Sequence, residues 1–94
     1  MKITITENTT REMEIPPYFK RADRPDSYIM VLEKSFLLVE ARPLSNDAFT
    51  FPKIEVMDNF LLHVYCENGV TPISEAEFKN AYIRTSLTLE RLLN

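Results

Sequence analysis

The residue pair best suited to nucleophilic or metal chemistry is the single histidine and the single cysteine, His63 and Cys66. Either chemistry requires the two side chains to converge on one point. The apolar segment around them, residues 60–66 (FLLHVYC), predicts a strand, in which residues three apart point to opposite faces. We therefore expect no catalytic dyad, and we expect Cys66 to be a core thiol in register with Leu62 and Val64.

Two pairs of carboxylates could in principle act as acid and base, Glu12 with Glu14 and Glu75 with Glu77. General acid catalysis requires a carboxyl group whose pKa is raised by burial, and neither pair shows a sign of burial. No spacing of carboxylates resembles a metal-binding loop. With Gly69 as its only glycine, the chain cannot form the glycine-rich turns that bind nucleotides or present a nucleophilic serine. The sequence therefore predicts no enzyme activity, no cofactor and no metal site.

Residues 18–24 combine aromatic rings with cations, a pairing that can stack bases and contact phosphates. The candidate contacts are Tyr18, Phe19, Lys20, Arg21 and Arg24. Asp23 and Asp26 reduce the net charge of residues 20–26 to +1 (three cations, two anions), and the whole chain carries −3. Nucleic-acid-binding domains are normally basic, so we favour a solvated loop whose aromatic rings enter the core. Nucleic-acid binding is the alternative.

Alternation of apolar and polar residues in 2–15, and apolar runs rich in β-branched and aromatic residues further along, predict an antiparallel sheet in the first two thirds of the chain. We expect an N-terminal hairpin over residues 2–15, which Pro16-Pro17 ends because proline cannot donate to a strand ladder. Residues 16–26 predict a loop. Residues 27–66 predict a meander of strands that ends in 60–66.

The clearest local signal is an amphipathic helix over residues 74–93. Ser74 and Glu77 have the spacing of a capping box, in which the serine hydroxyl accepts from a backbone NH of the first turn. The apolar residues that follow helical spacing are Phe78, Ala81, Tyr82, Thr85, Leu89, Leu92 and Leu93. The predicted fold is one α+β domain, with a sheet of five to six antiparallel strands and this helix packed on one face.

Two features suggest contact with another chain. Ala76, Ile83 and Leu87 cluster on the side of the helix opposite its core stripe. Residues 28–32 and 36–41 are apolar on both strand faces, and one helix covers only one of them. The alternatives are scattered surface residues for the first feature, and cover by the N-terminal hairpin or the 16–26 loop for the second.

The sequence shows no signal peptide, and its apolar runs are too short to cross a membrane. A single cysteine excludes an intrachain disulfide, so we expect a cytoplasmic protein. The favoured interpretation is a non-enzymatic interaction module that binds a protein partner or a second copy of itself. The alternative is an accessory nucleic-acid-binding domain that uses the aromatic and basic residues of 18–24.

Overall fold

Strands and helices cover most of the chain. The computed structural model describes the backbone of residues 2–6, 10–43 and 51–93, and the side-chain environments of residues 15–43 and 51–93. Within these ranges the elements are β1 (Lys2–Thr6), β2 (Thr10–Glu14), β3 (Tyr18–Arg21), β4 (Arg24–Val31), β5 (Ser35–Glu40), β6 (Lys53–Asp58), α1 (Leu62–Cys66), β7 (Val70–Pro72) and α2 (Glu75–Glu90). The chain is therefore an α+β protein, as predicted.

The strands form two antiparallel units. β1 and β2 make a separate hairpin in which Ile3 pairs with Met13, and this confirms the predicted N-terminal hairpin. The other five strands form one sheet in the order β6-β5-β4-β3-β7. β4 and β5 form a hairpin within the predicted 27–66 meander, with Ile29 opposite Leu38 and a turn closed by a 2.9 Å bond from the Leu32 NH to the Ser35 carbonyl.

The prediction of a strand over residues 60–66 is wrong. A 3-10 turn (Asn59–Leu61) leads directly into α1. Leu62 and Cys66, four residues apart, are buried, whereas Phe60 and Val64 are exposed, which is the helical pattern. An apolar run of only seven residues does not distinguish the two periods.

The predicted loop over residues 16–26 is also wrong, because it contains β3 and the beginning of β4. β3 is an internal strand that pairs with β4 on one side and with β7 on the other. The short β7 was not predicted. It follows a turn at Gly69, whose φ of 98° is a conformation that glycine adopts without strain.

The face of the sheet turned away from α2 is covered by α1. Leu62 and Cys66 pack there against the inward residues of the sheet, which are Phe19, Ile29, Val31, Phe36 and Leu38. Ile15, which follows β2, completes this cluster. The two-sided apolar character of the central strands is thus satisfied within the chain, mainly by a segment that we expected to be part of the sheet.

The other face carries α2. Phe78 and Ala81 pack there beside Val39, and the Phe78 ring lies 5.7 Å from that of Tyr18, centroid to centroid. The Glu77 NH donates a 3.0 Å bond to the Ser74 hydroxyl, which confirms the predicted cap. The packing of Phe78 and Ala81 places the first half of α2 against the sheet.

The predicted core stripe of α2 is buried only in part. Phe78, Ala81 and Thr85 are buried, whereas Tyr82, Leu92 and Leu93 are exposed. Leu92 and Leu93 lie in a 3-10 turn (Arg91–Leu93) after α2, where the α-helical spacing no longer holds.

Candidate functional site

The first candidate surface is the outer stripe of α2, which consists of Ala76, Ile83 and Leu87. All three residues are exposed, Ile83 and Leu87 to 54% each. They occupy the side of α2 opposite the buried Phe78, Ala81 and Thr85, as the helical spacing predicts. Apolar side chains in this position contribute nothing to the described core.

A second apolar surface consists of Phe60, in the 3-10 turn before α1, and Val64, on the outer side of α1. Phe60 is 69% exposed and Val64 is 44% exposed. The strand prediction hid this pair, because it put both residues on the same face as the buried Leu62. A helix separates Phe60 and Val64 from Leu62 and Cys66, whereas a strand places all four on one face, so the spacing alone does not identify the pair.

The third candidate is a cleft of about 350 Å³ at the polar end of the α1 face, which we name the end cleft. It lies where β3 ends, β4 begins, β5 ends and β6 begins, beside the outer side of α1. Its lining residues are Arg21, Arg24, Glu40, Arg42, Phe51, Lys53, Val64 and Tyr65.

A buried carboxylate lies among the cations of the end cleft. The Glu40 side chain is 7% exposed, and its Oε2 is 3.4 Å from the Arg42 Nη2. That oxygen accepts no hydrogen bond from the described residues. The hydroxyl of Ser27, the partner of Glu40 across the β4–β5 ladder, is also buried and forms no hydrogen bond with the described residues. Buried polar atoms normally have a partner, so these two atoms have hydrogen-bonding capacity that the described residues do not use.

Arg21 forms one wall of the end cleft. Its guanidinium lies 4.9 Å from the centroid of the Tyr65 ring, a cation–π distance. Its Nε is 3.9 Å from the Asp23 carboxylate, and the Arg21 side chain is only 13% exposed. These contacts fix the guanidinium of Arg21 against Tyr65 and Asp23 at the wall of the cleft.

A smaller cleft of about 310 Å³ lies on the other side of Arg42, between α2 and the end of β5. Its lining residues are Ala41, Arg42, Pro43, Arg84, Thr85, Leu87, Thr88 and Arg91. The hydroxyls of Thr85 and Thr88 donate to the carbonyls four residues earlier in α2, at 2.8 and 2.9 Å. The polar character of this smaller cleft therefore comes from Arg42, Arg84 and Arg91.

The structure does not bring together the five candidate nucleic-acid contacts. Phe19 is fully buried on the α1 face, where no base can stack on it. Tyr18 packs on Phe78, and the Lys20 Nζ lies 4.0 Å from the Glu77 carboxylate, so both belong to the α2 face. Only Arg21 and Arg24 reach a common site, the end cleft.

His63 and Cys66 belong to one helix rather than to one strand. Burial raises the pKa of the Cys66 thiol to about 11, and the nearby Arg21 opposes this only in part. Cys66 is thus a protonated core thiol at neutral pH. His63 Nδ1 lies 2.7 Å from the Phe60 carbonyl oxygen, to which it donates.

The carboxylate pairs differ in what the structure shows of them. The Lys79 Nζ lies 2.9 Å from the Glu75 Oε1, and this ion pair raises the pKa of the lysine. Glu12 and Glu14 belong to β2, and their side chains lie outside the described environments.

The residues with described side chains contain no cluster of histidine, cysteine or carboxylates that could hold a metal ion. In the same part of the chain no helix has both the length and the apolar character needed to span a bilayer. A comparison with protein-family models finds no match to this chain, and comparisons with curated proteins and with solved structures find none either.

Proposed function

We propose that this chain is a non-enzymatic interaction module that associates with a second copy of itself through the outer stripe of α2. One observation carries the proposal: Ile83 and Leu87 are each 54% exposed on a helix whose opposite side already packs on the sheet. Exposed apolar residues that are contiguous on one surface are typical of contact sites. The apolar residues on both faces of the central strands do not support self-association, because α1 covers the sheet face opposite α2.

The charges of α2 favour an antiparallel pair of helices. In a pair centred on Ile83, Glu75 of one copy lies opposite Arg91 of the other, because each residue is eight positions from the centre. Acidic residues stand at the start of α2, Glu75 and Glu77, and Arg91 follows its end. A two-fold pair therefore places unlike charges together at both ends.

The size of the stripe predicts weak association. Fully burying a leucine or isoleucine contributes about 1.5–3 kcal/mol, so a half-exposed one gains about 1 kcal/mol. Ile83 and Leu87 from two copies then supply about 4 kcal/mol, the lower end of the estimated cost of association. We expect a dimer that forms only at high protein concentration.

Sedimentation velocity over a wide concentration range tests the proposal. We expect the weight-average mass to rise with concentration, and Leu87→Glu to abolish the rise because it buries a charge at the helix contact. Val56→Glu is the matched control, since Val56 is 66% exposed on β6 and is not part of the outer stripe of α2. A monomer at every concentration contradicts self-association, and a dimer that survives Leu87→Glu excludes this stripe as its interface.

The proposal places the module in the cytoplasm, where a free thiol such as Cys66 persists in reduced form. The burial of Phe19 gives no support to the nucleic-acid alternative.

A further inference from the structure

We propose that the end cleft binds a small phosphate-bearing molecule that also carries a hydroxyl or amine donor. The inference rests on the charge of the cleft, on its size and on the buried Glu40 carboxylate in its lining, whose Oε2 accepts no hydrogen bond from the described residues. It is independent of self-association, because the outer stripe of α2 does not line this cleft.

The lining of the cleft is cationic in an acidic protein. Among the described residues that line the cleft, the four cations Arg21, Arg24, Arg42 and Lys53 and the one carboxylate Glu40 sum to a formal charge of +3, whereas the whole chain carries −3. Like charges this close repel each other, and a bound anion relieves that repulsion. The cleft is thus a local site for an anion, although the chain as a whole disfavours polyanions.

Two acidic residues on the rim offset part of this charge, but their ion pairs are weak. Asp23 lies 3.9 Å from Arg21, and Glu55 lies 3.5 Å from Lys53. The two carboxylates are 38% and 52% exposed, and ion pairs at such positions contribute little free energy. A ligand phosphate can therefore replace Glu55 as the partner of Lys53 at small cost.

The shape of the cleft fits a small molecule better than a polymer. Its volume of about 350 Å³ lies in the range of small-ligand pockets. Arginine guanidinium groups match two phosphate oxygens at once, and Arg24 is exposed at the mouth. Phe51 and Val64 add an apolar wall for the organic part of the ligand.

Glu40 favours a ligand whose organic part carries a hydrogen-bond donor. Its side chain is more than nine-tenths buried, and its Oε2 accepts no hydrogen bond from the described residues. A bare anion gains nothing from this oxygen, whereas a ligand hydroxyl or amine can donate to it once the side chain rotates toward the cleft, because Oε2 itself has almost no exposed surface. The cleft should consequently prefer a phosphate monoester that carries such a donor over inorganic phosphate.

Nuclear magnetic resonance titration of the full chain at constant ionic strength tests the proposal. The probes are inorganic phosphate, glycerol phosphate, glycerol and acetate. We expect saturable shifts of the amides around the end cleft, with glycerol phosphate binding several-fold more tightly than inorganic phosphate. Acetate binding as tightly as glycerol phosphate identifies a carboxylate site and overturns the phosphate assignment.

Single-charge variants separate a built site from general attraction to cations. Arg24→Gln and Lys53→Gln should each weaken glycerol phosphate binding about tenfold, the usual effect of losing one charge-assisted contact. Lys34→Gln is the control, because Lys34 is exposed at the opposite end of the sheet. Equal weakening by all three variants, or no saturable shift with the wild-type chain, refutes the proposal.

Glu40→Gln tests the donor contact separately. It removes the negative charge at nearly constant shape, so inorganic phosphate should bind several-fold more tightly. The preference for glycerol phosphate should shrink at the same time, because a carboxylate oxygen accepts more strongly than an amide oxygen. An unchanged preference shows that Glu40 makes no contact with the ligand.

Discussion

The helical form of residues 62–66 predicts that two neighbouring substitutions have very different costs. Leu62 is fully buried against the sheet, whereas Val64 is 44% exposed on the outer side of α1. In a strand the two residues would share one face and would be equally buried. Leu62→Ala and Val64→Ala therefore distinguish the two arrangements in solution.

The expected cost follows from the burial of each side chain. Replacing a fully buried leucine by alanine costs about 2–5 kcal/mol, through lost burial and the cavity left behind. This is a large part of the ~5–15 kcal/mol by which small domains are stable. The melting temperature should fall by roughly 12–24 °C for a loss of 3 kcal/mol. Val64→Ala should change stability by less than about 0.5 kcal/mol, because alanine favours the helix and the site is open to solvent.

Urea unfolding followed by far-ultraviolet circular dichroism measures both costs. We expect a lower midpoint for Leu62→Ala with the same slope, since the native fold is kept. Val64→Ala should have nearly the same urea midpoint as the wild-type chain. A Val64→Ala cost equal to that of Leu62→Ala would falsify the helical assignment of α1 and restore the strand.

Two further predictions concern the helix cap and the buried thiol. Ser74→Ala should lower the free energy of unfolding by about 1 kcal/mol, and Ser74→Asp should restore most of it, because aspartate also caps helices. Burial raises the pKa of Cys66 from 9.0 to about 11, so the unfolded chain loses this proton first and stability should fall between pH 9 and about 11. Urea midpoints measured across this range should decline less steeply for Cys66→Val, and identical slopes would show that the thiol does not contribute.

The elements that the sequence predicted correctly are those with local causes. β4 and β5 follow from two apolar runs rich in β-branched and aromatic residues that a short turn joins, so the paired strands are neighbours in the sequence. The start of α2 follows from Ser74 and Glu77, whose contact spans three residues. Such features need no knowledge of the rest of the chain.

The elements that were missed depend on distant contacts. β3 carries Lys20 and Arg21, charged residues that suggested a loop, and it becomes an internal strand only because β7 pairs with it from about fifty residues away. The apolar pattern of residues 60–66 is compatible with a helix or a strand. The helix is selected by the burial of Leu62 and Cys66 against the assembled sheet. The stripe of Ala76, Ile83 and Leu87 was visible because its spacing is local.

The end cleft shows the same limit for a site. The sequence marks Arg21 and Arg24 as candidate phosphate contacts, but Glu40, Arg42 and Lys53 join them only when four strands assemble. Their sequence separation of up to about thirty residues leaves no motif. The grouping with Tyr18 and Phe19 followed sequence adjacency, which a strand divides between two faces.

The order of strands in the five-stranded sheet has a consequence for synthesis of the chain. β3 lies beside β4 from the outset, but its other edge is paired only by β7, which is made about fifty residues later. Until then a growing polypeptide exposes an unpaired strand edge, the kind of surface on which chains aggregate. The completed protein ends this exposure with a three-residue strand that includes Pro72, a residue that cannot donate to a further strand. Premature termination between residues 59 and 69 would therefore release a product with that edge permanently open.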